Sequence, residues 1–119
     1  MQAPQASLRA TEAGSGFVKV EHQGGADIVL SDTKIMVEQG GSKATYAAAG
    51  QSVDKFLAGD TLTITPTGIS LNGRNLTTGK ISIESAGVIS GEITITLTDI
   101  LSGQMIAQMR IRAGNSFFN

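Results

Sequence analysis

The chain has 119 residues, of which 40% are hydrophobic and 16% charged, and it carries a net charge of −1 at pH 7. A single domain of that length buries roughly two thirds of its unfolded surface without a covalent staple. With no cysteine, disulfides, zinc–thiolate sites and thiol nucleophiles are all excluded. The near-neutral charge gives no basic field for nucleic acid or an anionic membrane, and no stretch reaches the roughly 18 consecutive apolar residues of a membrane span.

Isoleucine, threonine and valine outnumber leucine, and 15 glycines punctuate the chain. β-Branched side chains are stiff at χ1 and pack well on a pleated surface, so strands are expected throughout. Met1-Gln2-Ala3-Pro4 leads straight into polar sequence without a signal peptide. Residues 1–14 therefore read as the remnant of a truncated amino-terminal region carrying an irregular first strand over 5–11, with Leu8 facing in. The alternative is a cytosolic protein that begins here. Residues 15–119 read as one β-sandwich domain.

Gly14-Ser15-Gly16 breaks the first strand, and residues 17–22 form the next, with Val18 and Val20 opposite Lys19 and Glu21. Gln23-Gly24-Gly25-Ala26-Asp27 is expected to be a tight loop. A short apolar run over 28–30 leads to a strand over 33–38 that points Ile35 and Val37 inward. Gly40-Gly41-Ser42 opens a less regular middle, where 43–49 is a strand containing Tyr46. Residues 52–58 read as one helical turn or an irregular loop, since Val53, Phe56 and Leu57 stand at i, i+3 and i+4. Leu62 and Ile64 point inward from a strand over 61–65. Pro66-Thr67-Gly68 turns the chain into a strand begun by Ile69 and Leu71, and Asn72-Gly73 is a strong hairpin signal.

Ile81 and Ile83 mark another strand, and residues 84–90 form a connection. The closing hairpin is the clearest element. Ile93, Ile95 and Leu97 alternate with threonines, and Ser102-Gly103 reverses the chain. Met105, Ala107, Met109, Ile111 and Ala113 then share one face, with Ile106 the exception. About seven to nine short antiparallel strands at regular spacing indicate an all-β fold, an immunoglobulin-like β-sandwich.

Few residues suggest chemistry. His22, the single histidine, stands in phase with Val18 and Val20, which favours a packed structural role over that of a catalytic base. Gly24-Gly25 and Gly40-Gly41 lack the lysine and the strand–loop–helix setting of a phosphate cradle. Asp27, Asp32 and Asp99 do not have calcium-loop spacing and read as turn formers. Glu84 and Glu92 show no pairing signature for glycoside chemistry. No catalytic, cofactor or metal site is expected. Asn75-Leu76-Thr77 is a complete N-glycosylation triplet, which puts Asn75 forward if the domain lies outside the cell. Phe117 and Phe118 either tuck under the last strand as core or dock against a neighbouring subunit.

Three segments carry a resemblance: Val20-Glu21-His22-Gln23-Gly24-Gly25-Ala26-Asp27-Ile28, Gly59-Asp60-Thr61-Leu62-Thr63-Ile64, and Thr98-Asp99-Ile100-Leu101-Ser102-Gly103-Gln104-Met105-Ile106-Ala107. Together they resemble the archaeal type IV pilin and archaellin-like family. Ala26 departs from its pattern by standing between the glycines and the aspartate. The resemblance implies an extracellular β-sandwich head on the cell surface, homo-oligomeric in a filament. Membrane contact would come only through an amino-terminal hydrophobic helix that these residues lack. The alternative within the family is an accessory protein that anchors the filament by binding surface-layer protein, with an exposed edge strand pairing with its partner. A third reading, an enzyme or carbohydrate-binding domain, requires an open cleft around His22 with convergent polar groups.

Overall fold

A computed structural model describes residues 2–86 and 90–118; residues 87–89, inside the predicted connection, lie outside the described residues. In chain order the strands are β1 (Ala6–Gly14), β2 (Phe17–Gly25), β3 (Ile28–Val29), β4 (Thr33–Gln39), β5 (Ser42–Tyr46) and β6 (Lys55–Phe56). They continue with β7 (Thr61–Thr65), β8 (Gly68–Leu71), β9 (Arg74–Leu76), β10 (Ile81–Glu84), β11 (Gly91–Asp99) and β12 (Met105–Ala113). A 3-10 turn occupies Leu30–Asp32. One five-stranded sheet has the order β1-β2-β7-β8-β9, a second the order β10-β5-β4-β11-β12, and β3 and β6 form a two-stranded ribbon. All pairings among the described residues are antiparallel.

The expected all-β sandwich is the fold. More strands are present than the spacing suggested, because β3, β6 and β9 are too short for a two-residue period to register. The first sheet runs outward in chain order from β7 to β8 to β9. In the immunoglobulin sheet, by contrast, the strand beside B comes later in the chain than its outer neighbour.

The inward residues of each strand make the core. Val18, Val20, Leu62 and Ile64 from the first sheet are wholly buried, as are Ile35, Val37, Ala44, Tyr46, Ile93, Ile95 and Leu97 from the second. Ile28 and Phe56 pair across the ribbon and add to the same core. This replaces the helical-turn alternative for 52–58. In the two residues of β6 the side chains go to opposite sides, Phe56 buried and Lys55 exposed, while Leu57 just after the strand and Val53 in the turn before it are exposed.

Three one-residue bulges adjust the alternation. Thr11 is the extra residue of β1, which moves the inward set from Leu8 and Ala10 to Ala13. Gln23 is the extra residue of β2, so the expected loop at 23–27 is strand as far as Gly25. Gly25 has φ +99°, and a Cβ there would lie 2.5 Å from the Gln5 carbonyl oxygen, so the approach of β1 requires glycine. Ile106 is the extra residue between Ala107 and Met105. It packs against the core, and Met105 turns outward to 56% exposure, which corrects the inward placement expected of Met105.

The two sides of the sandwich differ. β1 runs beside β12, and bonds near both ends tie that side together. The Ala3 N–H donates to Gln104 Oε1 at 3.0 Å, and the Gly16 N–H donates to the Ser116 carbonyl at 3.0 Å. On the other side β9 and β10 are the outermost strands of their sheets, joined by residues 77–80.

Candidate functional site

His22 is wholly buried in β2. Its Nε2 lies 2.8 Å from the Ala26 carbonyl, its Nδ1 accepts the Gly24 N–H at 3.2 Å, and its ring meets Phe56 edge-on at 5.3 Å. With the Gly24 N–H donating to Nδ1, Nε2 is the ring nitrogen left to donate to the Ala26 carbonyl. The imidazole thereby shapes the bulge at Gln23, and both of its nitrogens are engaged in doing so. Among the described residues no serine or carboxylate side chain is bonded to it.

Of the three aspartates read as turn formers, Asp99 closes a turn with its side chain. Asp99 is buried, and its Oδ2 accepts the Ser102 N–H at 3.0 Å and the Ser102 hydroxyl at 2.6 Å. Among the described residues no group of three or more His, Cys, Asp or Glu is placed to hold a metal ion. Asp27 is exposed and Asp32 half-buried in the 3-10 turn. Glu84 sits on β10, while Glu92 reaches Arg110 at 3.7 Å on the exposed face of the last hairpin.

Sequence reasoning missed Asp54, whose segment showed only an apolar spacing. It is buried; Oδ2 accepts the Gln51 N–H at 2.9 Å, and Oδ1 receives Arg74 Nη2 at 3.0 Å. The Gln51 backbone N–H, then Arg74, hold its carboxyl below the ordinary value of 3.8 against the opposing effect of burial. A lowered native value means that the native state binds fewer protons. The contribution is therefore complete above pH 3.8 and lost as pH falls through the lowered value. Asp54→Asn should melt lower than the parent at neutral pH, and the gap should close on acidification. Parallel thermal melts from neutral to acid pH read this; a gap that stays constant with pH would contradict it.

The surface feature that stands out is the tip of the β11–β12 hairpin. Its backbone is fixed: the Gly103 N–H donates to the Asp99 carbonyl at 2.8 Å, the Asp99 N–H to the Gln104 carbonyl at 2.8 Å, and the Ile100 N–H to the Asp32 carbonyl at 2.8 Å. With Ser102 closing on Asp99, this rigid turn carries exposed apolar side chains: Ile100 at 47%, Leu101 at 61% and Met105 at 56%. Lys34, Ala47, Thr98, Asp99, Ile100 and Gly103 line a shallow hollow beside it of about 380 Å³. The arrangement suits contact with another surface.

Asn75 is exposed on β9, and its Oδ1 accepts the Ser70 hydroxyl at 2.9 Å. It lies in a hollow of about 300 Å³ with Thr65, Thr67 and Ser70, so its amide is open to solvent chemistry. Phe117 is wholly buried in its own chain's core, and Phe118 is half-buried with its ring edge-on to Phe117 at 5.0 Å. Of this pair, only Phe118 has surface for a neighbouring subunit. No known protein family and no curated protein sequence matches the chain.

Proposed function

We propose that this chain is the head domain of a structural subunit of an extracellular filament, of the archaeal type IV pilin or archaellin kind, and that it acts through its surface rather than by catalysis. The resemblance of three segments supports this reading, and they fall at coherent places: the β2–β3 passage, the entry to β7, and the last hairpin. The observation that carries it is the apolar tip of that hairpin. Its hydrogen-bonded turn presents Ile100, Leu101 and Met105 to solvent while most of the large apolar side chains of the sheets are buried. A rigid turn that exposes large apolar side chains is built for contact with a neighbour. The outward threonines of β7 and β11 stand among paired-strand charges of both signs, Lys19 and Glu21 beside β7 and Arg110 and Glu38 beside β11, which gives mixed polar faces along which heads can pack.

The test is the composition of surface filaments sheared from the source cells, read by electron microscopy and mass spectrometry. A filament subunit is expected as a major component. Scarcity there, with capture of surface-layer protein in a pull-down, would overturn the subunit reading in favour of the anchoring one.

A further inference from the structure

Among the described residues β10 is an unpaired outer edge of the second sheet, and with the residue before it that edge reads Lys80-Ile81-Ser82-Ile83-Glu84. Reversed, the sequence is the same except that its terminal charges exchange sign. We propose that β10 is a self-association site, pairing antiparallel with β10 of a second copy about a two-fold axis at Ser82. This rests on the edge itself and not on the filament reading.

The backbone has the required polarity. The Ala47 N–H donates to the Lys80 carbonyl at 3.0 Å, so the Lys80 peptide group turns toward β5. Peptide groups alternate in direction along an antiparallel strand. Those of Ser82 and Glu84 therefore also face β5, and those of Ile81 and Ile83 face the open edge. In the two-fold register Ile81 stands opposite Ile83 of the second copy, and each such pair exchanges its N–H and C=O groups. Ser82 faces its own counterpart as a non-hydrogen-bonded pair.

The side chains fit the same register. Residues directly opposite share a face of the sheet. Ile81, which packs against the core, would cover Ile83, which is 47% exposed in the single copy. On the outer face Lys80 would stand opposite Glu84, once on each side of the axis. A shift by one residue turns the outward N–H and C=O groups away from each other, and a shift by two separates the charges. An edge lysine by itself guards a strand against pairing. The glutamate four residues later turns that guard into a code that one partner satisfies, a copy of this edge. Because the contact is isologous, it closes at two copies and joins two five-stranded sheets into one.

Sedimentation velocity over a concentration series tests this on the 119-residue chain. The expected result is a monomer–dimer equilibrium. Glu84→Lys leaves Lys80 facing a second lysine across the axis, and Lys80→Glu leaves Glu84 facing a second glutamate. Each variant alone should dimerise at least about tenfold more weakly than the parent. An equimolar mixture of the two restores opposite charges at both positions and should recover dimerisation. Ile83→Pro removes an N–H that faces away from β5, so it should keep the fold and abolish the dimer. Melting temperatures of the charge variants, whose altered residues are exposed, check that each is folded. A parent that remains monomeric to about 1 mM, single variants that dimerise as tightly as the parent, or a mixture no tighter than its components would each overturn the proposal. Filament composition has no bearing on any of these outcomes.

Discussion

Phe117→Ala is expected to lower the unfolding free energy by about 3–5 kcal/mol, the range for deleting a buried aromatic side chain. A domain of this size has about 5–15 kcal/mol in total, so the loss is a large share. The size follows from how the segment after β12 is held. Phe117 has no exposed surface, and its N–H donates to Gln39 Oε1 at 2.8 Å. The Gln39 amide, itself buried, donates to the Gly91 carbonyl at 3.2 Å and the Asn115 carbonyl at 3.1 Å. One side chain thus links the end of β4, the start of β11 and the carboxyl-terminal segment. Removing the ring leaves a cavity beside a network that cannot follow it inward. Phe118→Ala removes a half-buried ring and should cost about 1–2 kcal/mol. Urea titrations of both variants measure the difference. A Phe117→Ala protein within about 1 kcal/mol of the parent would show that the ring does not hold the core.

How much of this was legible in the sequence depended on whether the physics was local. The long strands were legible, because Val18 and Val20, Ile35 and Val37, Leu62 and Ile64, and Ile93 to Leu97 each write their own alternation. Asn72-Gly73 was legible because its turn takes φ of 51° and 84°, values that asparagine and glycine tolerate. Bulges were not. The extra residue at Ile106 is visible only as a break in pattern, and it reverses the roles of Met105 and Ile106 by a pairing made with the other strand. Phe56 had helical spacing with Val53 and Leu57, yet the partner that decides its conformation is Ile28, far away in the chain. The polar ties were hidden for the same reason. Gln39, Asp54 and Asp60 look like ordinary turn or surface residues until Phe117, Arg74 and Asn72 are brought to them. The apolar hairpin tip had been in view as Ile100-Leu101, but its exposure follows from the Asp99–Ser102 closure beneath it. The charge symmetry of 80–84 was in the sequence throughout, and acquires meaning only when β10 proves to be an edge.

Alkaline pH should destabilise this protein steeply, through its single tyrosine. Tyr46 is wholly buried on β5, and its hydroxyl donates to the Thr65 carbonyl on β7 at 2.6 Å, a bond that crosses from one sheet to the other. Burial pushes the phenol well above its ordinary value of 10.0, because a tyrosinate there would lose its water and gain no cation. The unfolded chain gives up that proton near pH 10, and the native chain keeps it. The contribution of the raised value is thus fully present below pH 10 and is lost above it, at about 1.4 kcal/mol per pH unit until the native value is reached. Tyr46→Phe separates this from the titration of lysines in the same range. At neutral pH the variant should be less stable by about 0.5–1.5 kcal/mol, the net worth of the hydrogen bond between the sheets that it loses. Above pH 10 its curve should fall less steeply, so the two proteins converge. Denaturant midpoints from about pH 8 to about pH 11 give both curves. With no tryptophan present, near-ultraviolet absorbance follows Tyr46 free of indole overlap, and the tyrosinate band should rise only with unfolding. A tyrosinate band that grows near pH 10 while the chain is still folded would mean that Tyr46 is open to water and does not bridge the sheets.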